Sequence, residues 1–124
     1  MTIGEHCKRC MENMKMKSSD ESLVTAALLH DIGKKFTKAY KDLKGIPTVE
    51  AHYYGHQNVS AYLSLFYLKH LPIEKLLEKT NYIQWHIRPF DLHSAKSKLK
   101  AVKLFGQKFY DNLLLLHEAD TMAK

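Results

Sequence analysis

His30 and Asp31 stand side by side at the end of an apolar run, in TAALLHDIGKK, residues 25–35. Imidazole and carboxylate together can hold a divalent cation or move a proton near neutral pH. The chain has eight histidines in 124 residues, so the pair has possible partners. His6, His56, His86 and Asp120 also lie among apolar neighbours, where each could face inward. A single inward histidine is more often a packed core residue than a ligand. Several of them meeting two carboxylates is a different case, because Asp31 or Asp120 buried alone would be very costly. A divalent cation supplies the missing partner and accepts this mixture of ligands. Neighbouring helix residues project about 100° apart, so His30 and Asp31 cannot share a target from mid-helix. At a fraying C-terminal turn they can flank one ion. Asp31 has two oxygens and could bridge two ions. His30 would coordinate as a neutral imidazole, its other nitrogen held by a neighbouring group.

These residues need helices to carry them. A first helix is expected over about 4–15, ended by KSSD. Asp20, or Ser19 before it, can cap the next helix. That helix carries Leu23, Val24, Ala26, Ala27, Leu28 and Leu29, apolar on most sides, and is expected to be the central buried one. Gly33 suits its C-terminal cap. Residues 34–54 are irregular: LKGIPT has turn chemistry, with FTKAY and VEAHYY as short strands on either side. A third helix starts near His56, with Val59, Leu63, Phe66 and Tyr67 at helical spacing. HLP ends it, and Pro72 suits the first turn of a fourth. Ile73, Leu76, Leu77, Tyr82 and Ile83 mark that helix, which runs to about Ile87 and stops before Pro89. Ser94 can cap a fifth helix that Gly106 ends, and the last carries Leu113 to Leu116. The expectation is an all-α single domain, residues 1–124, a bundle of about six helices with one short β-hairpin around 36–54.

Composition narrows the class. Five glycines and three prolines favour helices over a many-turned β fold. No run approaches the length of a membrane span. MTIGEHCKRC has no apolar signal core, and only two cysteines are present, so a reducing, cytoplasmic location is expected. Net charge is +6, concentrated in two places. Lys34, Lys35, Lys38, Lys41 and Lys44 follow HDIG against Asp42 alone; Lys96, Lys98, Lys100, Lys103 and Lys108 form the other group. Such groups are commonly solvated faces. The sharper reading is attraction of a phosphate-bearing ligand, nucleic acid included. Aromatic residues are not interleaved with these lysines as a base-stacking surface would require.

LLHDIGK resembles the signature of the HD superfamily of metal-dependent phosphohydrolases. IGEHC supplies an upstream histidine, YYGHQNVSA and IQWHIRP resemble the two intermediate histidine motifs, and LHEADTMAK supplies a late aspartate. The order is the family's, over about residues 3–123. The chain is most similar to the HD domain of bacterial tRNA nucleotidyltransferases and to small phage-type proteins. The resemblance implies a metal site of His6, His30, Asp31 and Asp120. His56 and His86 would complete a second metal position in dinuclear members, or face the substrate phosphate in mononuclear ones. The expected cofactor is one or two divalent ions per chain: Mn, Mg, Co, Ni, Zn or Fe. The implied reaction is phosphoester hydrolysis, as phosphomonoesterase or phosphodiesterase, on a nucleotide or nucleic-acid-end phosphate. Asp31 would orient or deprotonate the attacking water, while Lys34 and Arg88 would hold phosphate oxygens. Many members begin with another helix before the first histidine, so that side is expected to be more open here. The partner expected is a small phosphorylated substrate, a nucleotide or RNA end, with no membrane. Two alternatives come with the same family: a non-catalytic accessory or sensor domain that binds metal and nucleotide, and a di-iron oxygenase of the same fold.

The remaining candidates rank lower. Cys7 and Cys10 have no second pair with which to close a zinc site. His52, His70 and His93 are expected in loops or on the surface, and His117 in packing. Met11, Met14 and Met16 are expected to fill gaps in the core.

Overall fold

Thr2 begins the first helix with a reciprocal cap. Its Oγ1 accepts from the Glu5 amide at 3.1 Å, and the Glu5 carboxylate accepts from the Thr2 amide at 3.1 Å. In this computed structural model, which describes residues 1–124, α1 runs Ile3–Lys17. Asp20 caps α2, Glu21–Leu29, by accepting from the Ser22 amide at 2.9 Å. The core lies where α1, α2, α5 and α7 meet. Met14, Leu23, Ile83 and Leu116 are fully buried there, with Ala26, Ala27 and Ala119 letting the helices approach. Each large aliphatic side chain so buried contributes about 1.5–3 kcal/mol. The outer side of α2 is less apolar in its surroundings than expected: Leu28 is exposed.

Gly33 is not the C-terminal cap of α2; His30 is. The helix stops at Leu29, and His30 and Gly33 keep right-handed backbone angles, with φ of −60° and −74°. The glycine is required by close approach instead. A Cβ there would lie 2.6 Å from both the His56 carbonyl oxygen and the Ser60 amide. The Gly33 amide also donates to Ser60 Oγ at 2.8 Å.

After a short turn of helix, α3 Lys34–Thr37, the chain forms β1 Lys38–Lys41 and β2 Pro47–Tyr53. Phe36 and Thr37 thus belong to the helical turn rather than to the strand. The strands pair antiparallel, with Lys38 opposite Tyr53, Ala39 opposite His52, and an irregularity before Lys41 meets Pro47. Asp42 Oδ1 accepts from the amides of Lys44 and Ile46, both at 2.9 Å, and closes the turn. His52 therefore lies on a strand, stacked on Tyr54, rather than in a loop.

The fourth helix, α4, runs His56–Tyr67. Its buried face is not the apolar stripe of the sequence. Ser60, Ala61 and Ser64 are buried, whereas Phe66 and Tyr67 are 58% and 66% exposed. Small residues win because α4 packs closely on α5 and on Gly33. Ser64 Oγ satisfies itself on the Ala61 carbonyl at 2.6 Å. Helix α5, Ile73–Trp85, ends at His86, slightly short of the expected Ile87. It buries Tyr82 and Ile83 but leaves Ile73 and Leu77 exposed. A 3-10 turn, Arg88–Asp91, leads to α6, Ala95–Phe105, capped reciprocally by Ser94 and Ser97. Gly106, at φ 83°, joins α6 to α7, Gln107–Met122. Of the three methionines expected in the core, Met14 is buried and Met11 packs against it, but Met16 is 89% exposed. No helix is long and apolar enough to cross a membrane.

Candidate metal centre

Five helices deliver their ends to one point. His6 comes from the first turns of α1, His30 and Asp31 from just past α2, His56 from the first residue of α4, His86 from the end of α5, and Asp120 from the last turn of α7. The chain has left regular helix at His30. That is why two adjacent residues can face the same centre.

Asp31 is the hub. Its Oδ2 lies 3.4 Å from His6 Nε2 and 3.2 Å from His30 Nε2. Its Oδ1 lies 3.1 Å from His56 Nε2 and 3.4 Å from His86 Nε2. Asp120 Oδ1 adds contacts of 2.7 Å to His6 Nε2 and 3.1 Å to His30 Nε2. The donors fall into two groups that share Asp31. One is His6, His30, Asp31 and Asp120; the other is Asp31, His56 and His86. His30 is fully inaccessible, and Asp31 and His86 nearly so.

The outer nitrogens fix how the rings present themselves. Nδ1 of His30 donates to the Ala27 carbonyl at 2.6 Å, Nδ1 of His86 to the Ile83 carbonyl at 2.6 Å, and Nδ1 of His56 to the Tyr53 carbonyl at 3.0 Å. Nδ1 of His6 faces the Ala123 carbonyl at 3.4 Å. A neutral imidazole that donates through Nδ1 carries its lone pair on Nε2. With all four rings neutral, each Nε2 would meet a carboxylate oxygen lone pair to lone pair. Protons or cations must lie between them. The donor chemistry, imidazole plus carboxylate with each imidazole anchored from behind, fits a divalent cation.

The charges respond accordingly. Burial would raise the Asp31 carboxyl, but its bonds to His30, His56 and His86 hold it well below the usual range. Asp120 is likewise opposed by burial and still lowered to about 2 by His30 and His6. Burial disfavours the His30 cation, yet hydrogen bonds to Asp120 and Asp31 raise it to about 9. His86 is lowered, with burial the largest cause.

Two small clefts open onto this cluster and share Asp31, Lys34 and Lys124. Lys34 Nζ lies 3.3 Å from Asp31 Oδ2 and 5.2 Å from the centre of the Tyr53 ring. Arg88 is not brought to the centre. It faces Asp91 at 3.8 Å and lines a neighbouring cleft with Gln57, Asn58 and Trp85. His117 packs edge-on against Phe90 at 4.5 Å, outside the cluster. Sequence reasoning did not select Lys124 or Tyr53. Lys124 stands four positions after Asp120, so helical spacing could have found it. Tyr53 had no comparable signal, because a strand register brings it there.

A family model described as HD domain matches residues 3–123. No curated protein and no solved structure matches the chain.

Proposed function

The chain belongs to the HD domain family, and on that premise we propose that it is a cytoplasmic, metal-dependent phosphohydrolase acting on a nucleotide or nucleic-acid-end phosphate. HD domains are generally hydrolases that use divalent metals, and some members are non-catalytic. One observation carries the reading here. Four imidazoles turn Nε2 onto Asp31 and Asp120, while their Nδ1 atoms face backbone carbonyls.

His6, His30, Asp31 and Asp120 would hold one ion, and Asp31, His56 and His86 a second. A divalent cation bound there acidifies water and offsets the charge of a phosphate. Asp31 stays ionised at physiological pH and, with one oxygen turned to each donor group, would hold both ions and orient water bound between them; it could accept a proton from that water only where an oxygen is not wholly occupied by an ion. Lys34 reaches the same opening and is placed to neutralise a phosphate oxygen. Lys124, on the rim of both clefts, offers a second cation. Tyr53 flanks the opening with a flat apolar face. A kinship with the HD domains of tRNA nucleotidyltransferases, which the histidine motifs of the sequence suggest, would favour cyclic phosphodiesters and 2′ or 3′ phosphates among the substrates.

The test is hydrolysis by protein loaded in turn with Mn²⁺, Mg²⁺, Co²⁺, Ni²⁺, Zn²⁺ and Fe²⁺, against phosphomonoesters, phosphodiesters and 2′,3′-cyclic nucleotides. Turnover that disappears in Asp31→Ala is expected. Undiminished activity in that variant would overturn the site. Tight metal uptake without turnover in any arm would make this a binding or sensor module instead.

A further inference from the structure

The hairpin contributes nothing to the interior. No residue of β1 or β2 belongs to either core cluster, and Tyr40 and Val49 are 55% and 98% exposed. A two-stranded hairpin is marginally stable by itself in water, so a segment this exposed is poorly explained by folding needs.

One line of side chains runs along it from the metal centre. Lys34 Nζ sits 5.2 Å from the Tyr53 ring centre, Tyr53 pairs across the strands with Lys38, and Lys38 Nζ sits 5.5 Å from the Tyr40 ring centre. Lysine and tyrosine thus alternate from the mouth of the metal centre outward along the hairpin. The linear sequence shows Lys38 and Tyr40 two positions apart, contrary to the expectation that aromatic residues are not interleaved with these lysines, but it does not show Tyr53, which comes from the opposite strand. The lysines beyond Lys34 are free: no ion pair involves Lys35, Lys38, Lys41 or Lys44. Asp42 is occupied by the turn amides.

We propose that the strip Lys34–Tyr53–Lys38–Tyr40 is a binding track for single-stranded nucleic acid, along which one end of the strand is led into the metal centre. Lysines suit successive backbone phosphates, and tyrosines offer faces on which bases stack without regard to sequence. A mononucleotide would need only the part nearest the metal centre. Leu43, Ile46 and Val49 are exposed toward the tip of the hairpin, where an anionic lipid surface would engage them, but the strip of lysines and rings lies nearer its base and starts at the metal centre, which a strand with a reactive end would use and a lipid surface would not. The delivery of the end to the centre rests on the phosphohydrolase reading; the binding does not.

The experiment is fluorescence anisotropy of the full chain in EDTA with fluorescein-labelled single-stranded RNA and DNA of about ten nucleotides. Binding that weakens with salt is expected. Tyr40→Ala should weaken it about 5- to 100-fold, Tyr40→Phe should retain it, and Lys38→Ala should lower the salt slope by about one. Both side chains are exposed, so circular dichroism should show the variants folded. Their hydrolysis of bis(4-nitrophenyl) phosphate should match wild type. Oligonucleotide affinity unchanged in Lys38→Ala/Tyr40→Ala overturns the proposal, as does binding confined to phosphatidylglycerol vesicles. Strip-dependent binding without hydrolysis would uphold the track and remove the hydrolase reading; hydrolysis without strip-dependent binding would do the reverse.

Discussion

His56 Nε2 lies 3.2 Å from His86 Nε2, and each ring's Nδ1 faces a carbonyl oxygen three residues earlier in the chain, Tyr53 and Ile83 respectively. Two neutral rings anchored in this way present lone pairs to each other, with Asp31 Oδ1 3.1 and 3.4 Å away. The arrangement is repulsive until a proton or cation enters. A cation bound between them would relieve that repulsion and keep both Nδ1 hydrogen bonds.

Metal content should follow the two donor groups. One ion per group is expected, measured by elemental analysis after loading and desalting. His86→Ala should lose one ion and keep the other, since the two groups share only Asp31. Asp31→Ala should lose both. Retention of the full complement by Asp31→Ala would contradict the shared-carboxylate geometry.

Metal binding should release protons. In the metal-free protein His30 is raised to about 9 from an ordinary 6.5. Its proton therefore stabilises the fold fully below pH 6.5 and is lost as pH rises through 9. Metal-free protein should lose thermal stability across that window, while metal-bound protein should not. Calorimetric titration at pH 7.5 in two buffers of different ionisation heat should show the displaced proton. At the acid end, metal should leave as pH falls below about 6, because the imidazoles must be neutral to bind it. Asp120, lowered to about 2, contributes stability above its ordinary 3.8 that disappears only as pH falls toward 2.

Lys34 and Arg88 should separate. Lys34→Ala is expected to lower kcat/KM by about 10²-fold, as loss of a charged contact to a transferring phosphate does. Arg88→Ala should change it by less than about threefold, since Arg88 faces Asp91 in a different cleft. Steady-state kinetics on one phosphodiester decides both.

Gly33→Ala should disturb the centre from outside it. The new methyl would meet the His56 carbonyl oxygen and the Ser60 amide at 2.6 Å, both backbone atoms that cannot swing aside. Denaturant unfolding should show a loss of about 1–3 kcal/mol. The ion held by His56 and His86 should be lost before the one held by His6 and His30, because α4 must move.

The cysteines should be inert. Burial pushes the Cys7 thiol up to about 11, with the Asp31 charge adding to it, and pushes Cys10 higher still. Neither forms a disulfide. Native protein at pH 8 should react with a thiol-specific disulfide reagent far more slowly than unfolded protein.

What the sequence determined by itself was chiefly local. Asp20, Ser94 and Gly106 mark helix boundaries because caps depend on atoms two or three residues away. The six histidine and aspartate donors were legible from residue type and from their positions beside apolar runs. Only tertiary structure decided the relationships across helices. The face that α4 buries is its serine and alanine face, because close packing against α5 and Gly33 outweighs the greater apolarity of Phe66 and Tyr67. The direction in which helix ends point sends Arg88 away from the centre and brings Lys124 to it. The division of Asp31, one oxygen to each pair of imidazoles, depends on four rings arriving from different helices at once. A side chain's chemistry belongs to the sequence, but its aim is fixed by the packing of elements remote in the chain.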